Sequence, residues 1–156
     1  MNGEQQFVTP GRTITEADLV NFAALTGDWH PQHADAEWAS DSEFGERVAH
    51  GMLVLSYAVG LAPIDPARVL ALRGLDRVAF KRPVRIGDTI RVEGRHEETK
   101  AVGEGIELAT FRWRILNQRD EVVVAAKVTA VMRDGSEQPE EERPEDGREV
   151  FDEVYL

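Results

Sequence analysis

From His50 to Ala62 the chain reads HGMLVLSYAVGLA, thirteen residues with no Asp, Glu, Lys or Arg and with small residues on every side. A strand would alternate or stop sooner, and a bilayer-spanning helix needs about 20 apolar residues. What remains is a helix apolar all round, which must be surrounded by protein. The rest of the chain therefore has to supply a wrapping, and the sequence predicts one central buried helix.

The wrapping is read from the second half. Arg73 to Val84 carries Leu75, Val78, Phe80 and Val84 and is stopped by Pro83 and a turn at Ile86-Gly87-Asp88. Thr89 to Glu97 alternates Ile90 and Val92 against Arg91 and Glu93, which implies one wet face. Ile106 to Leu116 sets Ala109, Phe111, Trp113 and Ile115 against Leu108, Thr110, Arg112 and Arg114, and Glu121 to Met132 is long and β-branched. Asn117-Gln118-Arg119-Asp120 joins these last two as a hairpin. Long strands joined by tight turns imply an antiparallel sheet, and a sheet curled around one helix is the economical α+β solution.

Ahead of the buried helix, Thr15-Glu16-Ala17-Asp18 reads as a capping box with Asp in place of Glu. Leu19, Phe22 and Ala23 follow at helical spacing, and Gly27 can end that helix. Asp35 would cap a second short helix over Ala36 to Glu43.

The 156 residues suit one domain, expected over 1–133. Net charge is −11 and unevenly placed: Asp134 to Leu156 holds 10 acidic and 2 basic residues, or −8, leaving −3 for residues 1–133. That acidic tail, 134–156, is rich in Glu, Pro and Gly at its start and is expected to stay flexible; Phe151, Val154, Tyr155 and Leu156 are the residues that would dock it. Nucleic acid is not an expected partner, since phosphate binding needs clustered Lys and Arg. There is no cysteine, so disulfides, thiolate metal sites and cysteine nucleophiles are excluded. The start, MNGEQQF, carries no basic stretch leading into an apolar segment, and a cytoplasmic, non-membrane location is expected.

Chemistry concentrates in Thr26-Gly27-Asp28-Trp29-His30-Pro31-Gln32-His33-Ala34-Asp35. Two of the four histidines lie in this link between helices, and Pro31 restricts itself and His30. Asp28 and His33 can serve as a general acid–base pair. The competing reading makes Asp28 a turn cap and His33 a solvated residue. Gly51, where the buried helix opens, either brings an unpaired N–H close to a ligand oxygen or simply eases packing. A metal at Asp28, His30, His33 and His50 is not expected, because Pro31 takes the histidines out of helical register and no HExxH is present. His96 sits among Glu93, Glu97 and Glu98 as a solvated strand residue, and Ser56 has no GxSxG turn and reads as core.

TGDWHPQHAD resembles the TGDxNPxHxD signature of MaoC-like dehydratases, the (R)-specific enoyl-CoA hydratases. Phe44 to Leu53, FGERVAHGML, is similar to their FGxxIAHGML, and Val78 to Thr89 to their VxFxxPVxxGDT. The three motifs, in order, cover roughly residues 10–133. The resemblance implies a hot-dog fold, a bent antiparallel sheet wrapped around a central helix. It implies a homodimer with an acyl-CoA or acyl-carrier-protein thioester in a tunnel near the subunit interface, and no cofactor. The reaction implied is addition or removal of water across the 2,3 double bond; a hot-dog thioesterase and a non-catalytic hot-dog subunit are the alternatives. Carried over by motif, Asp28 and His33 are the acid–base pair and the Gly51 amide holds the thioester oxygen. Trp29, His30, His50, Arg82 and Arg85 are the expected substrate contacts, the arginines, with Lys81, facing the CoA phosphates. Two departures stand out: His30 replaces the family's Asn, and Val59 lies where some members carry a hydroxyl eight positions after Gly51, with Ser56 one turn earlier.

Overall fold

The computed structural model describes residues 6–135, so the expectations for the acidic tail beyond Gly135 lie outside it. Four helices come first among the longer elements: α1 (Glu16–Thr26), α2 (Pro31–Ala34), α3 (Ala36–Ser40) and α4 (Gly51–Leu61). Two short strands, β1 (Gln6–Val8) and β2 (Arg12–Thr13), precede them. Four long ones follow: β3 (Val69–Phe80), β4 (Thr89–Gly103), β5 (Ile106–Leu116) and β6 (Val122–Arg133).

Every strand pairing is antiparallel, in the order β1-β4-β5-β6-β3 with β2 also on β4. The β5–β6 hairpin turns at Asn117 to Glu121, where the Asn117 side-chain oxygen accepts the Arg119 and Glu121 N–H groups. β3 lies at one edge, joined to β6, and its register slips in three places along that pairing. It starts and stops earlier than the sequence suggests. Beyond Phe80 the chain leaves the ladder, and Val84 instead accepts the Ala49 N–H through its carbonyl.

The inner sheet face packs on α4. Leu53, Val54 and Ala58 of the helix share a core with Ile90 and Val92 of β4, Trp113 and Ile115 of β5, and Val123, Val124, Ala126 and Val128 of β6. Burying a Leu or Val side chain contributes about 1.5–3 kcal/mol each, so this interface dominates the fold's stability. It is the hot-dog arrangement, an α+β domain whose sheet wraps a central helix. The helix is not enclosed on all sides, however. Met52 and Ser56, one turn apart, are exposed, because the sheet covers one side of α4 and α1 only part of the other. Ser56 is thus a surface residue, not core. Among the described residues no helix is long and apolar enough to cross a membrane.

α1 forms as its signals indicate. Thr15 and Asp18 complete a reciprocal capping box, and Gly27 closes the helix at φ 79°, a left-handed value that favours glycine. The Tyr57 hydroxyl donates to Asp18 at 2.5 Å, tying α1 to α4. α3 ends at Ser40, three residues earlier than expected. The stretch between α1 and α3 is not all loop, since Pro31 opens the single turn of α2.

Candidate active site

Pro31 at the first helical position costs no hydrogen bond, because that N–H has no acceptor within the helix. His30 caps the turn: its Nδ1 accepts the Gln32 N–H at 3.2 Å. One turn is enough to swing His33 inward, and His33 is only 6% exposed. Its Nδ1–H donates to the Val48 carbonyl at 2.6 Å. A carbonyl can only accept, so the proton is on Nδ1 and the lone pair is on Nε2. The Gln32 side-chain amide lies 3.0 Å from that Nε2 as its donor. Burial pushes the His33 pKa below its ordinary value; the Val48 bond works against this, and the neighbouring His50 adds to the lowering. His33 is therefore a neutral base near neutral pH.

Asp28 follows the Gly27 cap. Its N–H donates to Thr26 Oγ1 and its carboxylate accepts the His30 N–H, each at 3.3 Å. The carboxylate is exposed, yet one ligand-type atom from each of Asp28, His33 and His50 lies within 4.8 Å of the others. The His33 and His50 rings stack at 3.8 Å with 26° between planes. By residue type and spacing Asp28, His33 and His50 are also a set that could hold a metal ion.

These groups face a cavity of about 800 Å³, lined by Asp28, His33, His50 and Gly51 on the polar side and by Phe22, Phe44, Phe80 and Val124 among its apolar walls. A cavity of this size suits a small organic ligand. Gly51 lies at the opening turn of α4, whose first N–H groups have no acceptor within the helix. A side chain there would collide with the Phe80 ring at 2.7 Å. Phe80 thus packs on the bare Cα of Gly51, as the packing reading expects, and Gly51 also borders the cavity.

The remaining sequence-derived contacts divide. Lys81 and Arg82 line the cavity; Arg82 also donates to the Val122 carbonyl at 3.0 Å. Arg85 is not among the lining residues and is held by Glu46 at 2.8 Å and the Phe44 carbonyl at 3.2 Å. Trp29 and His30 are exposed and outside the lining, and His30 packs its edge against Trp38. Val59 lines a different, apolar space near the far end of α4. Ser56 borders the site but spends its hydroxyl on the Met52 carbonyl at 2.7 Å. His96 is half-buried against Phe111 and shares a hydrogen bond with Thr99. The partners that sequence reading missed are the Val48 carbonyl, which fixes the His33 tautomer, and Gln32. The first has no side-chain signature; the second was in plain view beside His33.

Comparison with known proteins places the chain among relatives. The MaoC like domain model matches residues 2–112. The chain belongs to the MaoC-like domain family. Over 88 residues, 54% of this chain, it is 49% identical to the MaoC protein of Klebsiella aerogenes, though that stretch is 26% of the relative's length. It is 37% identical over 90 residues to an (R)-specific enoyl-CoA hydratase of Rhodospirillum rubrum, covering 56% of this chain and 60% of that one. The matched region thus spans less than two thirds of these relatives. Among solved structures, the unliganded R-hydratase PhaJ1 of Pseudomonas aeruginosa superposes with a TM-score of 0.68 at 28% identity, covering 92% of this chain and 94% of that one.

Proposed function

We propose that this protein is an (R)-specific enoyl-CoA hydratase, adding water to, or removing it from, the 2,3 bond of an acyl thioester. The observation that carries the reading is the buried His33, which donates its Nδ1–H to the Val48 carbonyl, keeps its Nε2 lone pair against the Gln32 amide, and lies with Asp28 at one cavity. Once a water displaces the Gln32 amide from His33 Nε2, it can donate one proton there while hydrogen-bonded to the Asp28 carboxylate. Its oxygen then adds to C3 of the enoyl group. The displaced electron pair runs to the thioester oxygen, where the Gly51 N–H would hold the developing charge. Return of a proton from the His33–Asp28 pair to C2 completes the addition and restores both groups. The family's named hydratases support the choice of substrate class.

In the same reading the protein is a cytoplasmic homodimer. The exposed Met52 beside Ser56 on α4, together with Leu72 and Phe80 on the edge strand β3, offers an apolar face for a second copy. Lys81 and Arg82, which line the cavity, would meet the carrier's phosphates.

Crotonyl-CoA is the deciding substrate. Loss of enoyl absorbance without appearance of free thiol is the expected result. Thiol release would instead identify a thioesterase, with water attacking the carbonyl, and inertness toward every enoyl thioester would remove the enzymatic reading altogether.

A further inference from the structure

His50 opens α4, yet its ring does nothing for that helix: it makes no side-chain capping bond, unlike His30 at the start of α2. Instead the ring crosses to another part of the chain. Its Nε2–H donates to the backbone carbonyl of Asp28 at 3.0 Å, across 22 positions of sequence. Its face stacks on His33 at 3.8 Å, and the Phe22 ring of α1 lies tilted beside it at 5.0 Å. The residue is 2% exposed, and its Nδ1 has no hydrogen-bond partner.

Two consequences follow from these contacts. First, the carbonyl of Asp28 fixes the His50 tautomer, with the proton on Nε2 and a bare lone pair on Nδ1. Second, with Nδ1 unpartnered in a buried spot, the ring's hydrogen bond to the Asp28 carbonyl and its stack on His33 together set its position.

We propose that His50 is a positioning residue: it clamps the backbone of Asp28 against the face of His33, so that carboxylate and imidazole keep one spacing through turnover. The inference rests on the acid–base reading of Asp28 and His33 and adds the part that holds them together. Asp28 needs such a clamp. Its carboxylate is exposed, its loop follows a glycine, and its other hydrogen bonds within that loop are 3.3 Å long.

Two variants and one spectrum test it. His50→Gln keeps an N–H where Nε2 stands; His50→Phe keeps the ring and loses the donor. With crotonyl-CoA, His50→Gln should stay within about fivefold of the parent kcat. His50→Phe should fall by roughly 10–10², the cost of a misplaced catalytic group, with KM changed less than about threefold. Nitrogen-15 spectra of the histidine-labelled parent should show the His50 proton on Nε2, where it bonds the Asp28 carbonyl. Equal activity of His50→Phe and parent would overturn the proposal, as would equal damage in both variants or a His50 whose only proton sits on Nδ1. A parent inactive on all enoyl thioesters refutes the hydratase reading by itself, and the spectrum still decides whether His50 grips Asp28.

Discussion

His33 does two separable jobs, and one pair of substitutions divides them. Its Nδ1–H satisfies the Val48 carbonyl, a structural task, while its Nε2 lone pair is the proposed base. Asn places an N–H where Nδ1 stands and nothing where Nε2 stands; Ala removes both. His33→Asn should therefore lose the acid–base contribution of about 10²–10⁴ in kcat, equivalent to about 3–5 kcal/mol of barrier, and keep its fold. His33→Ala should lose the same rate and also stability. A buried carbonyl deprived of its donor costs about 1–3 kcal/mol, and the space vacated by the ring adds to that. For a chain of this length about 1 kcal/mol moves Tm by roughly 2–4 °C, so the lost bond alone should lower the alanine variant's Tm by about 2–12 °C, the vacated space adding to it, while the asparagine variant should stay within about 2 °C of the parent. Thermal melts by circular dichroism and enoyl absorbance on crotonyl-CoA read the two effects independently. Turnover of His33→Asn within about threefold of the parent would refute the base assignment. Equal melting of the two variants would refute the role given to Val48.

Three further outcomes are expected. Asp28→Asn should lower kcat by about 10²–10⁴ with little change in Tm, since its carboxylate is exposed; near-normal turnover would remove Asp28 from the chemistry. Gly51→Ala drives a methyl into the Phe80 ring and should cost about 1–3 kcal/mol by overpacking; adding Phe80→Ala should recover part of that in urea unfolding, and no recovery would mean the strain lies elsewhere. The His33 pKa is lowered in the folded state from its ordinary 6.5. On acidification the unfolded chain then takes up this proton first, so the contribution is fully present above 6.5 and is lost as pH falls from there toward the folded value. His33→Asn should flatten that part of a Tm–pH curve, and an unchanged slope would contradict the burial of a neutral ring.

Much of this was legible in the sequence, for identifiable reasons. The uncharged stretch from His50 gave α4, since no other element tolerates so many apolar neighbours. Thr15, Asp18 and Gly27 marked both ends of α1 because caps are local. The alternation through Ala109, Phe111, Trp113 and Ile115 gave the inner face of β5. Short elements left no such trace: β1 and β2 are three and two residues long, and the four residues of α2 are too few for any period to show. The site was half visible. Asp28 and His33 stand out as residue types that core packing rarely combines, and the motif resemblance gave them roles. The tautomer of His33, by contrast, depends on a backbone oxygen 15 positions away, and the reach of His50 to Asp28 depends on how α4 meets the loop. Neither leaves a mark on spacing. Arg85 illustrates the opposite limit: its charge suggested a ligand phosphate, and tertiary structure surrounds it with Glu46 and Phe44 instead.

The central claim is that Asp28 and His33 address one reacting carbon beside the Gly51 amide. A crystal structure with a non-hydrating enoyl thioester analogue tests it most directly. The account predicts C3 between the Asp28 carboxylate and His33 Nε2, with the thioester oxygen within hydrogen-bonding distance of the Gly51 N–H. An analogue seated with its double bond remote from either side chain would contradict it.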